Sequence, residues 1–241
     1  MQESTENRHS ENQLLASLSS KDSERLLPHL ETLTLFANEV VQTPGEEISY
    51  VYFPIDSIVV LVSSVEPQAS VEVGLIGSEG LVGAPVLMGV KIVSSQALVL
   101  SEGKALRLPA QILIREAKRR STIREALLPY AHALLAESAQ LAACHRYHTP
   151  QARLARVLLA ANDRRRNNEL KITQNTLAHL LGTRRATVTE AANQLEKKGL
   201  IQSSRGKIGV VNREGLQQQA CSCYRTIAQQ YSSGIGKPMS S

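Results

Sequence analysis

The spacing of apolar residues changes twice along the chain and divides it into three parts. Residues 12–30 carry apolar positions at helical spacing. From about residue 32 to residue 108, short alternating stretches rich in β-branched residues are separated by Pro and Gly, which predicts several antiparallel strands. After Pro109 the helical period returns. The pattern therefore predicts an α+β fold, with a small β-sandwich or barrel between helical segments.

A long helix is predicted from Thr122 to about His148, because no Gly interrupts this run and Pro129 is its single helix-breaking residue. Its apolar stripe comprises Ile123, Leu127, Tyr130, Leu134 and Leu141. A seven-residue repeat is typical of coiled coils, so we expect the stripe to form a dimer interface with a second copy of the chain. Packing of the stripe into the core of its own chain is the alternative.

Two short helices joined by a glycine are predicted near the C-terminus. In "ITQNTLAHLLG", Thr173 is suited to cap the first helix and Gly182 to turn sharply at its end. "RRATVTEAANQLEKKG" continues as the second helix, and "LIQSSRGKIGVV" has the pattern of a β-hairpin. A helix-turn-helix followed by a hairpin is a winged helix-turn-helix.

The start of the second helix is the part of this motif that meets base edges in the major groove. Arginine reads guanine there through two hydrogen bonds, to O6 and N7. The predicted base-reading residues are Arg184, Arg185, Thr187, Thr189 and Glu190. The predicted phosphate contacts, which position a protein without reading sequence, are Thr173, Gln174, Ser204, Arg205 and Lys207. A solvated helix face is the alternative explanation for an isolated pair of arginines.

Charge is distributed unevenly between the two halves of the chain. Residues 1–144 contain 11 Lys and Arg against 17 Asp and Glu, whereas residues 145–241 contain 16 against 5, a net charge of +11. Such asymmetry indicates a polyanionic partner for the C-terminal half. Aromatic residues make up 3% of the chain and Trp is absent, which disfavours a stacking platform for single-stranded nucleic acid. Double-stranded DNA is therefore the expected partner.

With these motifs in this order, and above all with "ITQNTLAHLLGTRRATVTEAANQLEKKGLIQSSRGKIGVVNREGL", the chain resembles the Crp/Fnr family of bacterial transcription regulators along nearly its whole length. The resemblance implies an N-terminal antiparallel β-roll, of the cyclic-nucleotide-binding jelly-roll type, a long central dimerisation helix and a C-terminal winged helix-turn-helix. The expected parts are a disordered lead-in over 1–12, a sensor domain over 13–120, the dimerisation helix over 121–148 and the DNA-binding domain over 149–241. Arg185 matches the family's guanine-reading Arg, whereas Ala186 stands where the family has a base-contacting Glu.

The cassette that binds the effector in cyclic-nucleotide members of the family is degenerate here. Those members use a Gly-Glu pair for the ribose and an Arg-Ser pair for the cyclic phosphate, and the matching pairs in this chain are Gly83-Ala84 and Ser95-Gln96. A buried phosphate without a cationic partner is poorly held, and Glu79 nearby would repel it. We therefore expect no response to cAMP, and an effector that is a different small molecule or absent.

The sequence predicts no metal and no cofactor. Its cysteines are Cys144, Cys221 and Cys223, so the N-terminal cysteine cluster of the iron–sulfur oxygen sensors in the family is missing, and two thiols at Cys-Ser-Cys spacing alone make a weak metal site. His145 and His148 are better suited to phosphate contact or helix capping than to haem. A sparse, odd set of cysteines and a polar N-terminus without an apolar segment favour the cytoplasm and no membrane attachment.

The predicted function is a homodimeric transcription regulator that binds a palindromic DNA site, with half-sites about one helical turn apart. The resemblance also implies contact with RNA polymerase. A sensor module that binds a small ligand or nucleotide and docks onto a protein or RNA is the alternative from another class. An enzyme is disfavoured, because the sequence contains no P-loop, no Ser/His/Asp set and no readable pair of catalytic carboxylates.

Overall fold

The computed structural model describes residues 9–66, 69–119, 121–164, 169–204 and 206–235. Two short helices, α1 (Gln13–Ala16) and α2 (Ser20–Leu26), precede a set of seven strands. These strands are β1 (Glu31–Leu35), β2 (Val40–Gln42), β3 (Tyr50–Pro54), β4 (Ile58–Glu66), β5 (Ala69–Ile76), β6 (Gln96–Ser101) and β7 (Gly103–Pro109). They form two antiparallel sheets, with the strand orders β1-β7-β3 and β2-β6-β4-β5. The predicted β-roll is confirmed.

Helices dominate the rest of the chain. They are α3 (Ala110–Arg119), α4 (Ser121–Tyr147), α5 (Pro150–Asp163), α6 (Gln174–Leu180), α7 (Arg185–Lys197), α8 (Arg213–Gln219) and α9 (Cys223–Ile235). Three short strands, β8 (Glu169–Leu170), β9 (Ile201–Ser204) and β10 (Lys207–Val210), form an antiparallel wing in the order β8-β10-β9. The long helix and the winged helix-turn-helix are therefore confirmed. Within the described ranges, no helix has the length and apolarity that crossing a bilayer requires.

Strand β4 separates two hydrophobic cores, because successive side chains of a strand point to opposite faces. Ile58, Val60 and Val62 belong to a core shared with the helices of the winged helix-turn-helix. Val59, between them, packs into the interior of the β-roll. Apolar residues are therefore needed on both faces of this strand, which explains the continuous apolar run "IVVLV" in the sequence.

The prediction that the apolar stripe of α4 forms a dimer interface is wrong, because these residues are buried in the core of their own chain. Leu134 is 9% exposed, and the other four residues are 0% exposed, namely Ile123, Leu127, Tyr130 and Leu141. Tyr130 shows the reason: its hydroxyl donates to the carbonyl of Leu81 at 3.0 Å, and its ring packs so closely on Gly80 that a Cβ there would lie 2.4 Å from it. The alternative, packing within one chain, describes this stripe correctly.

The C-terminal helix α9 covers another part of α4, while Tyr224 near its start belongs to the core of the winged helix-turn-helix. Ile227 and Tyr231 are buried in the same core as the β-roll and α4. The Tyr231 hydroxyl donates to Oε2 of Glu137 at 2.6 Å, and the Tyr231 ring lies 6.2 Å from that of Tyr130. Helix α9 and the β-roll thus share one core.

Buried ion pairs join strand β5 and the turn after it to α5. Arg156 donates to Oε2 of Glu72 at 2.8 Å, and both side chains are 1% exposed or less. Arg164 donates to Oε1 of Glu79 at 2.7 Å and is 0% exposed. Burial alone would lower the pKa of each guanidinium, but the adjacent carboxylates outweigh it and raise both pKa values, so both arginines stay charged. The predicted repulsion between Glu79 and a ligand phosphate is thereby replaced by an internal ion pair.

Glu137 is the carboxyl group of this region whose charge is least well compensated. Burial raises its pKa to about 7, although Arg164, whose Nη2 lies 4.0 Å away, and the Tyr231 hydroxyl both oppose the shift. The folded chain therefore holds a proton on Glu137 that the unfolded chain releases near the ordinary pKa of a Glu. The stabilisation from that proton is complete below the unfolded pKa and is lost as the pH rises toward 7.

We predict that Glu137→Gln flattens this pH dependence, since Gln is neutral at every pH and still accepts from Tyr231. Between pH 5 and pH 8 the free energy of unfolding of the parent should fall by roughly 2 kcal/mol more than that of the variant. Urea unfolding of both proteins across this range measures the difference. A difference that does not change with pH would contradict the assignment of a protonated, buried Glu137.

Candidate nucleic-acid interface

The turn between α6 and α7 is built from local signals that the sequence carries. The hydroxyl of Thr173 accepts from the backbone N–H of Thr176 and caps α6, as predicted. Gly182 has φ +55°, the left-handed conformation that glycine adopts without strain. Arg153 of α5 donates to the carbonyl of Leu181 at 2.9 Å, and this hydrogen bond fixes the turn to α5. The start of α7 is thereby held in a defined position.

A groove of about 330 Å³, here called the wing groove, lies between the starts of α6 and α7 and the wing. Five of the predicted DNA-contacting residues line it, namely Thr173, Gln174, Arg185, Ser204 and Lys207. Arg185 is the first residue of α7 and is exposed, so its guanidinium is available to a partner. The structure thus brings together one predicted base-reading arginine and four predicted phosphate contacts. Arg205, the fifth, lies outside the described residues.

The wing is anchored to α7 by a carboxylate. Oε1 of Glu196 accepts from the backbone N–H of Ser203 at 2.8 Å. Across the hairpin, Lys207 is the register partner of Ser204, which places the two predicted phosphate contacts side by side at the wing tip. The orientation of the wing relative to α7 is therefore set within the domain.

The other predicted base-reading residues are divided between different surroundings. Thr189 is held by its own domain, since its hydroxyl donates to Oε1 of Gln174 at 2.7 Å and lies 3.0 Å from the carbonyl of Arg185. The Thr189 side chain therefore links α7 to α6. Glu190 is exposed and lies 3.5 Å from the side-chain amide of Gln194. Arg184 and Thr187 line a separate cleft on the sensor side of the domain.

That second cleft, of about 830 Å³, separates the turn of the helix-turn-helix from strands β4 and β5. Ser63, Val65 and Ser70 line its sensor side. At its base the two parts touch: a Cβ on Gly182 would lie 2.5 Å from Cγ1 of Val71. The β-roll therefore contacts the helix-turn-helix at the turn that positions α7. No local pattern predicts this contact, because its partners are more than 100 residues apart.

The polar segment "NDRRRNNE" contains three adjacent arginines, and such charge runs are usually solvated. Arg164 is instead buried in its ion pair with Glu79 and also donates to the carbonyl of Ala160. Arg165 and Arg166 lie outside the described residues.

Comparison with known families now identifies this part of the chain. Residues 152–219, which run from α5 to α8, match the model of the Crp-like helix-turn-helix domain. This segment is similar to Crp-like helix-turn-helix domains. No curated protein sequence matches the chain at a significant level.

The fold of the chain is similar to that of several solved regulators. FixK2 from Bradyrhizobium japonicum is 16% identical with a TM-score of 0.68, over 80% of this chain and 98% of that one. The c-di-GMP responsive global regulator CLP from Xanthomonas campestris is 16% identical with a TM-score of 0.62, over 80% and 99%. TTHA1359, a CRP/FNR family regulator from Thermus thermophilus, is 23% identical with a TM-score of 0.60, over 79% and 98%. The predicted resemblance to Crp/Fnr regulators is confirmed at the level of the fold.

The four residues of the predicted degenerate cassette lie in two segments of the β-roll. Gly83 has φ +96° and precedes a 3-10 helix, Ala84–Met88, of which Ala84 is 2% exposed. Ser95 and Gln96 stand at the start of β6. The side chain of Gln42 packs on Gly83, since its Nε2 would be 3.0 Å from a Cβ there. The four cassette residues are therefore neutral: Ala84 presents a buried methyl group, and none of the four carries a positive charge.

The contact at Gly182 can be tested against a matched glycine of the same domain. Gly182 and Gly199 both have positive φ, but a Cβ on Gly199 would meet nothing within 4 Å. Gly199→Ala should therefore cost only the left-handed backbone strain, about 1 kcal/mol. Gly182→Ala should cost roughly 1 to 2 kcal/mol more, because it also pushes against Val71.

Adding Val71→Ala to Gly182→Ala should remove the steric part of this cost and leave a destabilisation close to that of Gly199→Ala. Chemical unfolding of the three variants and of Val71→Ala alone gives the required double-mutant cycle. Equal effects of the two glycine substitutions would show that the sensor does not rest on the turn.

Proposed function

We propose that the chain is a homodimeric, sequence-specific DNA-binding transcription regulator of the Crp/Fnr type. Its second helix, α7, reads a palindromic site in the major groove, and the wing contacts the flanking phosphates. The regulator does not respond to cAMP and acts on transcription together with RNA polymerase. Its effector is another small molecule, or it works without one.

The observation that supports DNA binding most directly is the wing groove. Arg185 stands there beside four residues suited to phosphate contact, and the arrangement matches the division between base reading and backbone positioning in this motif. Arg185, at the N-terminal end of α7, is the natural reader of guanine. The net charge of +11 in residues 145–241 supplies the electrostatic attraction to the duplex.

The proposed dimer uses a face of α4 different from the stripe first predicted. Leu128, His132, Leu135, Ala139 and Ala142 follow one another at alternating spacings of four and three residues, the repeat of a coiled-coil seam. Leu128 is half-buried and the other four are exposed, with Leu135 56% exposed. Small alanines in the C-terminal half of this seam allow two helices to approach closely. A second copy of the chain is the partner that this pattern fits.

The argument for indifference to cAMP rests on the cassette. With Ala84 buried and no cation at Ser95 or Gln96, a cyclic phosphate would lose its water without gaining a charged partner. The contact between β5 and the helix-turn-helix nevertheless gives the β-roll a route to α7. A change at the sensor is transmitted where Val71 meets Gly182.

We predict that the purified, ligand-free protein enriches a palindrome with guanines in each half-site from a pool of randomised duplexes at near-physiological salt. Arg185→Ala should weaken binding to that palindrome by about 1 to 3 kcal/mol and abolish the preference for guanine. Arg225→Ala, which removes the same charge from an exposed position on α9, serves as the control. It should leave the selected sequence unchanged.

Three results would contradict this assignment. Equal losses of affinity for Arg185→Ala and Arg225→Ala would show that binding depends on the net positive charge and not on base reading by Arg185. Competition by RNA as effective as that by the selected duplex would favour the alternative of a sensor module with an RNA partner. Enrichment of a palindrome only in the presence of cAMP would overturn the assignment of the cassette.

The dimer is tested separately by Leu135→Glu, which places two carboxylates opposite each other in the proposed seam. We expect the parent to sediment as a dimer and the variant as a monomer, with a corresponding loss of affinity for the palindrome because two half-sites are no longer bound together. Phe36→Glu alters a side chain that is 64% exposed on the sensor domain and should not change the assembly. A variant that remains dimeric would place the interface elsewhere.

A further inference from the structure

All three cysteines of the chain meet one histidine at the junction of α4, α5 and α9. Cys144 lies on the last turn of α4. His148 is four residues further along the chain, directly after the end of that helix. Cys221 precedes α9, and Cys223 is its first residue. The Cys-Ser-Cys pair alone did not predict a metal site, and the fold supplies the two side chains that the pair lacks.

The four ligand atoms have the spacing of a tetrahedral site for one ion. The sulfur atoms and the histidine nitrogen all lie within 4.8 Å of one another. Sγ of Cys144 is 3.5 Å from Sγ of Cys221, and Sγ of Cys223 is 3.5 Å from Nδ1 of His148. With Zn–S bonds of about 2.3 Å and Zn–N bonds of about 2.0 to 2.1 Å, the edges of a tetrahedron are about 3.8 Å between two sulfurs and about 3.6 Å between sulfur and nitrogen. The two 3.5 Å distances are within a few tenths of an ångström of these edges. The other pairs, at no more than 4.8 Å, exceed them by at most about 1.2 Å.

The backbone around the site is already fixed. The N–H of His148 donates to the carbonyl of Cys144 at 3.1 Å, which keeps the two side chains on one face of the helix end. The N–H of Cys221 donates to the carbonyl of Ala152, and that of Tyr224 to the carbonyl of Cys221. The ligands therefore come from two ordered segments that are joined to α5.

The surroundings are suited to thiolates. The three cysteines are buried, and His148 is half-buried. Nε2 of Gln140 lies 3.1 Å from Sγ of Cys223 and donates to it, the kind of N–H···S bond that supports a metal-bound sulfur. The guanidinium groups of Arg153 and Arg156 both interact electrostatically with the thiols of Cys144 and Cys221. Three thiolates and one Zn²⁺ carry a net charge of −1, which the charge of Arg153 offsets, because that of Arg156 is already paired with Glu72.

We propose that Cys144, His148, Cys221 and Cys223 bind one Zn²⁺ in a closed, structural Cys₃His site. Thiolate and imidazole ligands in tetrahedral geometry are those that zinc prefers, and four protein ligands leave no open position for catalysis. The ion fastens the start of α9 to the hinge between the long helix and the Crp-like domain. The site requires only this chain, so it is independent of DNA binding and of the proposed effector.

The test uses the full chain without a histidine tag, purified in reductant, loaded with Zn²⁺ or with Co²⁺ as a spectroscopic substitute, and freed of excess metal. We expect one ion per chain by elemental analysis, and for Co²⁺ the absorption bands of a tetrahedral site with thiolate ligands. Cys223→Ser and His148→Ala should each weaken binding at least tenfold. His29→Ala, on the exposed surface of the sensor domain, is the matched control and should bind as the parent does.

Thermal unfolding followed by circular dichroism shows whether each variant is folded and adds a second measurement. Zn²⁺ should raise the melting temperature of the parent and of His29→Ala but not of Cys223→Ser or His148→Ala. A reduced, folded parent that takes up neither metal would overturn the proposal. So would metal uptake that survives both ligand substitutions, or a reduced chain that binds no metal but forms a Cys144–Cys221 disulfide on oxidation.

Discussion

The two buried ion pairs between α5 and the sensor domain are the constraint on which the arrangement of this molecule depends. Charged groups removed from water cost several kcal/mol each unless they are paired and hydrogen-bonded, so Arg156 without Glu72, or Arg164 without Glu79, would not be tolerated in this interior. Both arginines come from α5 and the residue that ends it, at the start of the Crp-like domain, and both carboxylates lie on β5 or in the turn after it. The orientation of α5 on the sensor is therefore specified by charge as well as by apolar burial.

This constraint also changes the meaning of the charge asymmetry between the halves of the chain. The acidic half and the basic half are partners of each other as well as of an external polyanion, since Glu72, Glu79 and Glu102 from the first pair with Arg156, Arg164 and Lys171 from the second. The exposed pair of Lys171 and Glu102 contributes little, whereas the buried pairs are costly to break. Arg185 is not among these pairs, and it remains on the surface that faces the wing groove.

Much of the fold could be predicted from the sequence because its signals are local. The cap at Thr173, the left-handed Gly182 and the β-branched run "IVVLV" each depend on neighbours a few residues away, and these elements were predicted correctly. The long helix was predicted as well, but not the face of it that is exposed. An apolar stripe reports that burial occurs, not which partner buries it, and in α4 the partners of Tyr130 and Leu134 are Leu81 and Gly74 of the same chain. Pairings such as Arg156 with Glu72 join positions 84 residues apart and have no signature in the local pattern.

The cysteine cluster was missed for the same reason, and its position follows from the packing of α9. Cys144 and His148 stand at the four-residue spacing that puts two side chains on one helix face, but this spacing is too common to indicate a site by itself. It acquires meaning only when α9 packs along α4, through Tyr231 on Glu137, and so carries Cys221 and Cys223 to the helix end. The same packing covers one face of α4 and leaves that of Leu135 exposed. The packing of α9 on α4 therefore has two consequences. It brings the four ligands together at the end of α4, and it determines which face of α4 stays available to a second copy of the chain.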